Sequence, residues 1–139
     1  MIITALWDET PLKLKSVACK VLEDGQCQVK VSLSCKRKSY TCERTGPNET
    51  DYMVMLAALS TIDALHSATA GRLQMDLLFV ERQVLERVGR EIIMVLIDVS
   101  GSDGTKAATG ACQVRGDLAE TAARAVLDAT NRMVEHCLS

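Results

Sequence analysis

The chain contains one of its own segments twice, and that constrains its fold more than any other feature. Residues 116–138, GDLAETAARAVLDATNRMVEHCL, echo residues 48–71, NETDYMVMLAALSTIDALHSATAG. Setting Asp63 against Asp128 pairs Ala57-Ala58 with Ala122-Ala123, Ile62 with Leu127, and Ala64 with Ala129. Each segment follows a strand-like run ending in a cysteine, Cys42 or Cys112. Upstream, Val84-Leu85-Glu86 matches Val21-Leu22-Glu23, and Gly89 falls in a turn as Gly25 does. A repeat this long, present only twice, makes one domain and not a solenoid. No linker, low-complexity tract or charge block divides the halves. The expected organisation is a single domain over residues 1–139, with repeat 1 at about residues 12–71 and repeat 2 at about residues 72–139.

Within the first repeat, Lys13–Glu23 reads as a strand with Lys15, Val17, Cys19 and Val21 on one face. Asp24-Gly25 is a turn signal. Cys27–Cys35 then alternates, with Cys27, Val29, Val31, Leu33 and Cys35 on one face and Gln28, Lys30, Ser32 and Ser34 on the other. That pattern belongs to a half-solvated antiparallel strand. A slip of one residue would turn every side chain over, so the faces argue for a register. A three-residue loop, Asp24–Gln26, sets Val21 opposite Val29, Cys19 opposite Val31 and Val17 opposite Leu33. A turn centred on Arg37-Lys38 sets Tyr40 opposite Cys35 and Cys42 opposite Leu33. The apolar face of this meander needs a helix over it. One follows after Gly46-Pro47, with Asn48 expected as N-cap and Glu49 and Asp51 in the positive first turn. Tyr52, Met55, Leu56, Leu59, Ile62 and Leu65 recur at helical spacing, and Gly71 supplies a left-handed stop.

The second repeat begins with a strand in which Leu73, Met75, Leu77 and Phe79 alternate with Arg72, Gln74, Asp76 and Leu78. It is expected to be long, or bulged near Glu81. Glu91–Val99 departs from its counterpart, because Ile92 through Ile97 are apolar on both faces. Such a strand is covered twice. Ser100–Lys106 reads as a flexible hairpin loop and Ala107–Val114 as the third strand. Asp117 with Glu120 gives an acidic capping box, and Leu118, Ala122, Ala125, Val126, Ala129 and Met133 form a buried stripe. The fold class is therefore α+β: two β-β-β-α repeats forming one domain, antiparallel strands with helices packed on one face.

A formal net charge of −2, with one Trp, one Phe and two Tyr, offers neither the basic footprint nor the stacking rings of a nucleic-acid binder. No run approaches the roughly 20 apolar residues that span a bilayer, and Met1–Leu6 is too short for a signal peptide. The six cysteines show no CxxC, and His66 and His136 do not combine with them at zinc spacing. The expected protein is cytoplasmic and reduced, with no metal, no disulfide and no cofactor, its thiols serving as small hydrophobes.

Catalytic motifs are also missing: HExxH, GxSxG, the P-loop and GxGxxG do not occur. An enzyme would have to use an unfamiliar pairing of Cys112 or Cys42 with a histidine. His136 and His66 lie near helix ends, where a histidine favours the dipole. Asp128, four residues from both Arg124 and Arg132, is expected to make exposed intrahelical pairs. Better candidates for binding are the helix starts. Gly46-Pro47-Asn48 and Arg115-Gly116-Asp117 place backbone N–H groups at the positive end of a helix, which suits a carboxylate.

Two β-β-β-α units with Gly-Pro ahead of the first helix resemble the C-terminal regulatory domain of the 2-isopropylmalate synthase family. The relevant stretches are Arg44-Thr45-Gly46-Pro47 running into Tyr52–Leu65, and Gly110–Asp117 running into Ala122–Asn131, within a likeness over about residues 13–137. The resemblance implies a domain that dimerises and binds an end-product amino acid, catalysis residing in a barrel elsewhere on the chain. The expected function is thus a non-catalytic regulatory and dimerisation module for a small carboxylate or amino-acid metabolite. A structural protein-interaction module is the alternative from another class. A homodimer is expected to join through Met94 and Leu96, whose counterparts Lys30 and Ser32 can face water; Met1–Trp7 folded over the same face is the competing cover.

Overall fold

The computed structural model describes residues 12–138. Its elements follow in the order β1 (Lys13–Val21), β2 (Gln26–Cys35), β3 (Lys38–Pro47), α1 (Thr50–Ala68), β4 (Gln74–Leu85), β5 (Arg90–Gly101), β6 (Gly104–Gln113) and α2 (Leu118–Leu138). The strands form two antiparallel meanders, β1-β2-β3 and β4-β5-β6, each followed by its own helix. The fold is α+β, built from the two β-β-β-α units that the repeat requires. Helix α1 packs on β2 and β3, α2 packs on β5 and β6, and the helices pack on each other. Each also crosses to the other unit, α1 to β4 and α2 to β1. One hydrophobic core therefore runs through both halves.

The faces of β2 follow its alternation. Val29, Val31 and Leu33 are fully buried and Lys30 is exposed. Ser32 faces outward with Lys30 but is not wet: its neighbours cover it, and its hydroxyl lies 2.7 Å from that of Thr41 on β3. The registers also differ from expectation, by two residues in both hairpins. Val21 pairs with Cys27, Cys19 with Val29 and Val17 with Val31. Asp24 and Gly25 both take positive φ in a tight turn closed by Gln26 N–H on Glu23 O. Leu22 N–H then donates to Gln26 O, so the pairing steps by one residue and the apolar faces still meet. In the second hairpin, Lys36 and Arg37 both adopt positive φ, and Cys35 pairs directly with Lys38. Tyr40 consequently faces Leu33, and Cys42 faces Val31. Lysine and arginine are not residues that announce such a turn, which normally favours Asn-Gly. A two-residue slide keeps every side chain on its face, so the alternation defines the faces and leaves the pairing open.

Both first strands carry a bulge. In β1 the extra residue is Lys15 and in β4 it is Leu78, each six positions ahead of the valine of the matching Val-Leu-Glu. The bulge replaces Lys15 by Leu14 on the face of Val17, and it lies at Leu78, not near Glu81. The β5–β6 connection is also tighter than a loose loop: pairing runs to Gly101 opposite Gly104, with Ser100 and Thr105 hydroxyls 2.9 Å apart.

At the start of α1, Asn48 is not the N-cap. Its N–H donates to Gly25 O, which extends the sheet edge by one residue, and Glu49 holds the cap position in an extended conformation without a side-chain cap bond. At the other end, Gly71 N–H reaches His66 O and Ala70 N–H reaches Ser67 O, a Schellman closure. The left-handed residue required just past the cap is Ala70, φ 53°.

Helix α1 is buried on more than the expected stripe. Ala57, Ala58, Ser60, Thr61 and Ala64 are all covered, whereas Tyr52 remains 42% exposed. Small side chains let backbones approach, and their polar members are satisfied locally: Thr61 Oγ1 donates to Ala57 O, Ser60 Oγ to Val29 O. Helix α2 is amphipathic, with Ala122, Ala125, Val126 and Val134 fully buried and Arg124, Asp128 and Arg132 outside.

Candidate functional site

The last turns of α2, the β5–β6 hairpin and the start of β4 enclose an open cleft of about 570 Å³. Clefts that take small molecules commonly have this size. Its floor is apolar: Leu73 and Val99 are buried, and Met133 and Cys137 are half-buried. Its rim is cationic, and the cations come from three different elements. Arg72 enters from the segment after α1, Lys106 from β6 and Arg132 from α2. Among the described residues, none of the three has a carboxylate within ion-pair distance. Arg72 Nε donates to Thr69 O at 3.1 Å, which anchors the root of its guanidinium group. His136, one turn beyond Arg132, also lines the cleft, and Asp103 in the hairpin turn is its acidic member.

Sequence reasoning did not find this cleft. Arg132 and His136 stand four residues apart on the polar face of α2, which ordinarily marks a solvated surface. Arg72 and Lys106 are distant in sequence and meet them only through tertiary packing.

The sites favoured from sequence lie elsewhere. Gly46 is buried, and a Cβ there would stand 3.2 Å from the Leu56 side chain. The Asn48 N–H is engaged by Gly25 O, and the Glu49 N–H by Pro47 O. Around the second helix start, Gly116 has φ 136° and Asp117 stands directly before Leu118, its carbonyl accepting the Thr121 N–H at 3.1 Å. Asp117 Oδ1 accepts the Ala119 N–H at 3.2 Å, so a carboxylate of the chain itself sits at the positive helix end. Glu120 of the expected capping box turns instead to Arg124, at 3.5 Å. Arg115 lines a smaller cleft of about 440 Å³ with Cys112 and Arg124. Among the described residues no hydrogen bond joins the two triplets.

The matched aspartates are more than surface decoration. Asp63 holds Arg44 of β3 through two bonds, Nε to Oδ2 at 2.7 Å and Nη2 to Oδ1 at 3.0 Å. That carboxylate, by accepting both bonds, raises the Arg44 pKa above its ordinary value. Asp128 does not pair with Arg124 or Arg132 in the way its spacing suggested; its Oδ2 accepts the Ala111 N–H of β6 at 3.1 Å. In each unit, then, the helix uses the same aspartate to grip the third strand.

The chain matches no protein-family model and no curated protein.

Apart from His136 and Cys137, which both line the cleft, the thiols and imidazoles lie apart. Cys27 and Cys35 are buried, Cys42, Cys112 and Cys137 are half-buried, and Cys19 is exposed. His66 Nε2 accepts the Met75 N–H at 3.0 Å, which ties the end of α1 to β4 and occupies the ring nitrogen a general base would need. Met94 and Leu96 lie half-buried on the outer face of the second sheet, away from the helices. Leu96 pairs there with Phe79, itself 38% exposed.

Proposed function

We propose that the chain is a non-catalytic regulatory module that works as a homodimer and takes a small carboxylate or amino-acid metabolite. The observation that carries this is the contrast between the outer faces of two sheets of the same plan. In the first sheet the outer positions of β2 are Gln28, Lys30, Ser32 and Ser34, flanked by Thr41, Glu43 and Thr45 on β3. In the second they are Ile92, Met94, Leu96 and Asp98, an apolar strip of three flanked by Phe79, Glu81 and Gln83 on β4 and by Thr109, Ala111 and Gln113 on β6. A Leu- or Met-sized side chain contributes about 1.5–3 kcal/mol when fully buried; these are partly covered by their neighbours, so completing the burial adds a fraction of that for each. Two copies of the face related by a twofold axis would be self-complementary and would complete that burial. A contiguous apolar face left open on a monomer is an aggregation hazard. The pair of β-β-β-α units, in the plan of the regulatory domain that the sequence resembles, supports the same conclusion. Met1–Trp7, the competing cover for this face, lies outside the described residues.

Sedimentation equilibrium tests the dimer. Wild-type chain at micromolar concentration is expected at twice the monomer mass; a clean monomer would sink the proposal.

A further inference from the structure

The cleft between the end of α2 and the β5–β6 hairpin is, we propose, a binding site for a small organic monocarboxylate with an apolar body. This rests on the metabolite-binding half of the function proposed above, and narrows it from carboxylates and amino acids together to the non-zwitterionic class. Charge comes first. Arg72, Lys106 and Arg132 converge on one cleft, and among the described residues no carboxylate lies within ion-pair distance of them, although Asp103 lines the same cleft and offsets part of their charge. Most surface cations project singly into water; three around one concavity make a positive field that a bound anion relieves. Arginine pairs with carboxylates through two parallel bonds, which gives orientation as well as attraction.

The floor decides what else the ligand must carry. Leu73, Val99, Met133 and Cys137 present an apolar surface beneath the cationic rim. Gly101 allows the hairpin to approach it, since a Cβ there would stand 2.9 Å from the Leu73 side chain. Inorganic phosphate would satisfy the rim and leave that floor wet, whereas an alkyl carboxylate satisfies both. Among the described residues no Phe, Tyr or Trp lines the cleft, whose one ring is the His136 imidazole, so no broad stacking platform for a nucleobase is present. An amino acid would bring an ammonium group among three cations, with Asp103 as the one carboxylate among the described lining residues to receive it. The balance of charge favours the carboxylate without the amine.

The cleft and the apolar outer face belong to opposite sides of the second sheet. Lys106 pairs with Val99, whose side chain is buried toward α2, while Met94 and Leu96 point the other way. Binding and dimerisation are therefore separable. Isothermal titration calorimetry of the full chain with hexanoate, norleucine, hexylamine and inorganic phosphate discriminates the ligand classes. Hexanoate is expected to bind at millimolar concentration, and the other three at least about tenfold more weakly, the loss that follows from one charge-assisted contact. Arg132→Glu and Lys106→Glu, both at exposed positions, should each weaken hexanoate by about tenfold or more with the sedimentation behaviour unchanged. Absence of hexanoate binding, or hexylamine equal to hexanoate, overturns the site. Phosphate or norleucine as tight as hexanoate overturns the ligand class. Loss of the dimer with hexanoate binding intact would overturn the dimer proposal alone.

Discussion

Cys19 shows how a single residue can look reactive and be the reverse. Its side chain reaches solvent, yet partial desolvation, then the negative charge of Asp117, then Cys27, push its thiol above the ordinary value of 9.0. The thiolate is the nucleophile, so alkylation by iodoacetamide near neutral pH should be slower in the folded chain than in urea. Asp117→Asn should speed it, because asparagine caps a helix as well as aspartate does while the charge is gone; an unchanged rate would remove Asp117 as a cause. The sign for stability follows. The folded thiol keeps its proton where the unfolded one has lost it, so this contribution is complete below the unfolded value and declines as pH rises past it. Ala70 carries a strain of a different kind, a left-handed conformation at φ 53° that closes α1. Ala70→Gly should raise stability by about 0.5–1 kcal/mol, as the steric relief exceeds the entropy glycine adds to the unfolded chain. A shift of the urea midpoint at constant slope would report it.

At the scale of elements, the tightest approach at any described glycine is between α2 and β6. A Cβ on Gly110 would lie 2.2 Å from Ala125 O and 2.5 Å from Ala129 N. Backbone atoms cannot rotate aside, so the helix would have to lift from its sheet. Gly110→Ala is expected to cost about 3 kcal/mol or more, beyond the usual range for overpacking, and to appear as a large loss of melting temperature or as insoluble protein. The same closeness explains Asp128, which reaches the free edge of β6 and accepts the Ala111 N–H. An edge strand covered in this way offers one fewer donor to a foreign strand. The helix stripe of α2 was legible because apolar and charged residues alternate cleanly around it. That of α1 was not: Ala57, Ala58, Ser60, Thr61 and Ala64 are small, and their burial depends on how near the neighbouring elements come.

For the molecule as a whole, the duplicated unit presents two different outer faces. The outer face of one sheet is polar, whereas that of the other carries the apolar strip Ile92, Met94, Leu96 and Phe79 between polar flanks. Met94→Lys with Leu96→Lys should give monomer or insoluble protein, while Lys30→Glu on the matching strand should leave assembly unchanged; analytical ultracentrifugation of the three proteins checks it. Because a dimer is stabilised by mass action, the wild-type melting temperature should also rise with protein concentration, and that dependence should vanish in a soluble double variant.

The sequence by itself determined the duplication, the order β-β-β-α in each half, and the buried face of β2. All three rest on local periodicity, which a linear pattern carries in full. It also marked Met94 and Leu96 as apolar where their counterparts are polar. The strand registers escaped it, because a slide of two residues leaves every face unchanged and the Lys36-Arg37 turn uses left-handed lysine and arginine. The partners of Asp63 and Asp128 escaped it too, since they lie on a strand and not along the helix. The cationic cleft was decided by tertiary structure alone: Arg72, Lys106 and Arg132 share no local pattern, and only the packing of α2 over the second sheet brings their charges around one apolar floor.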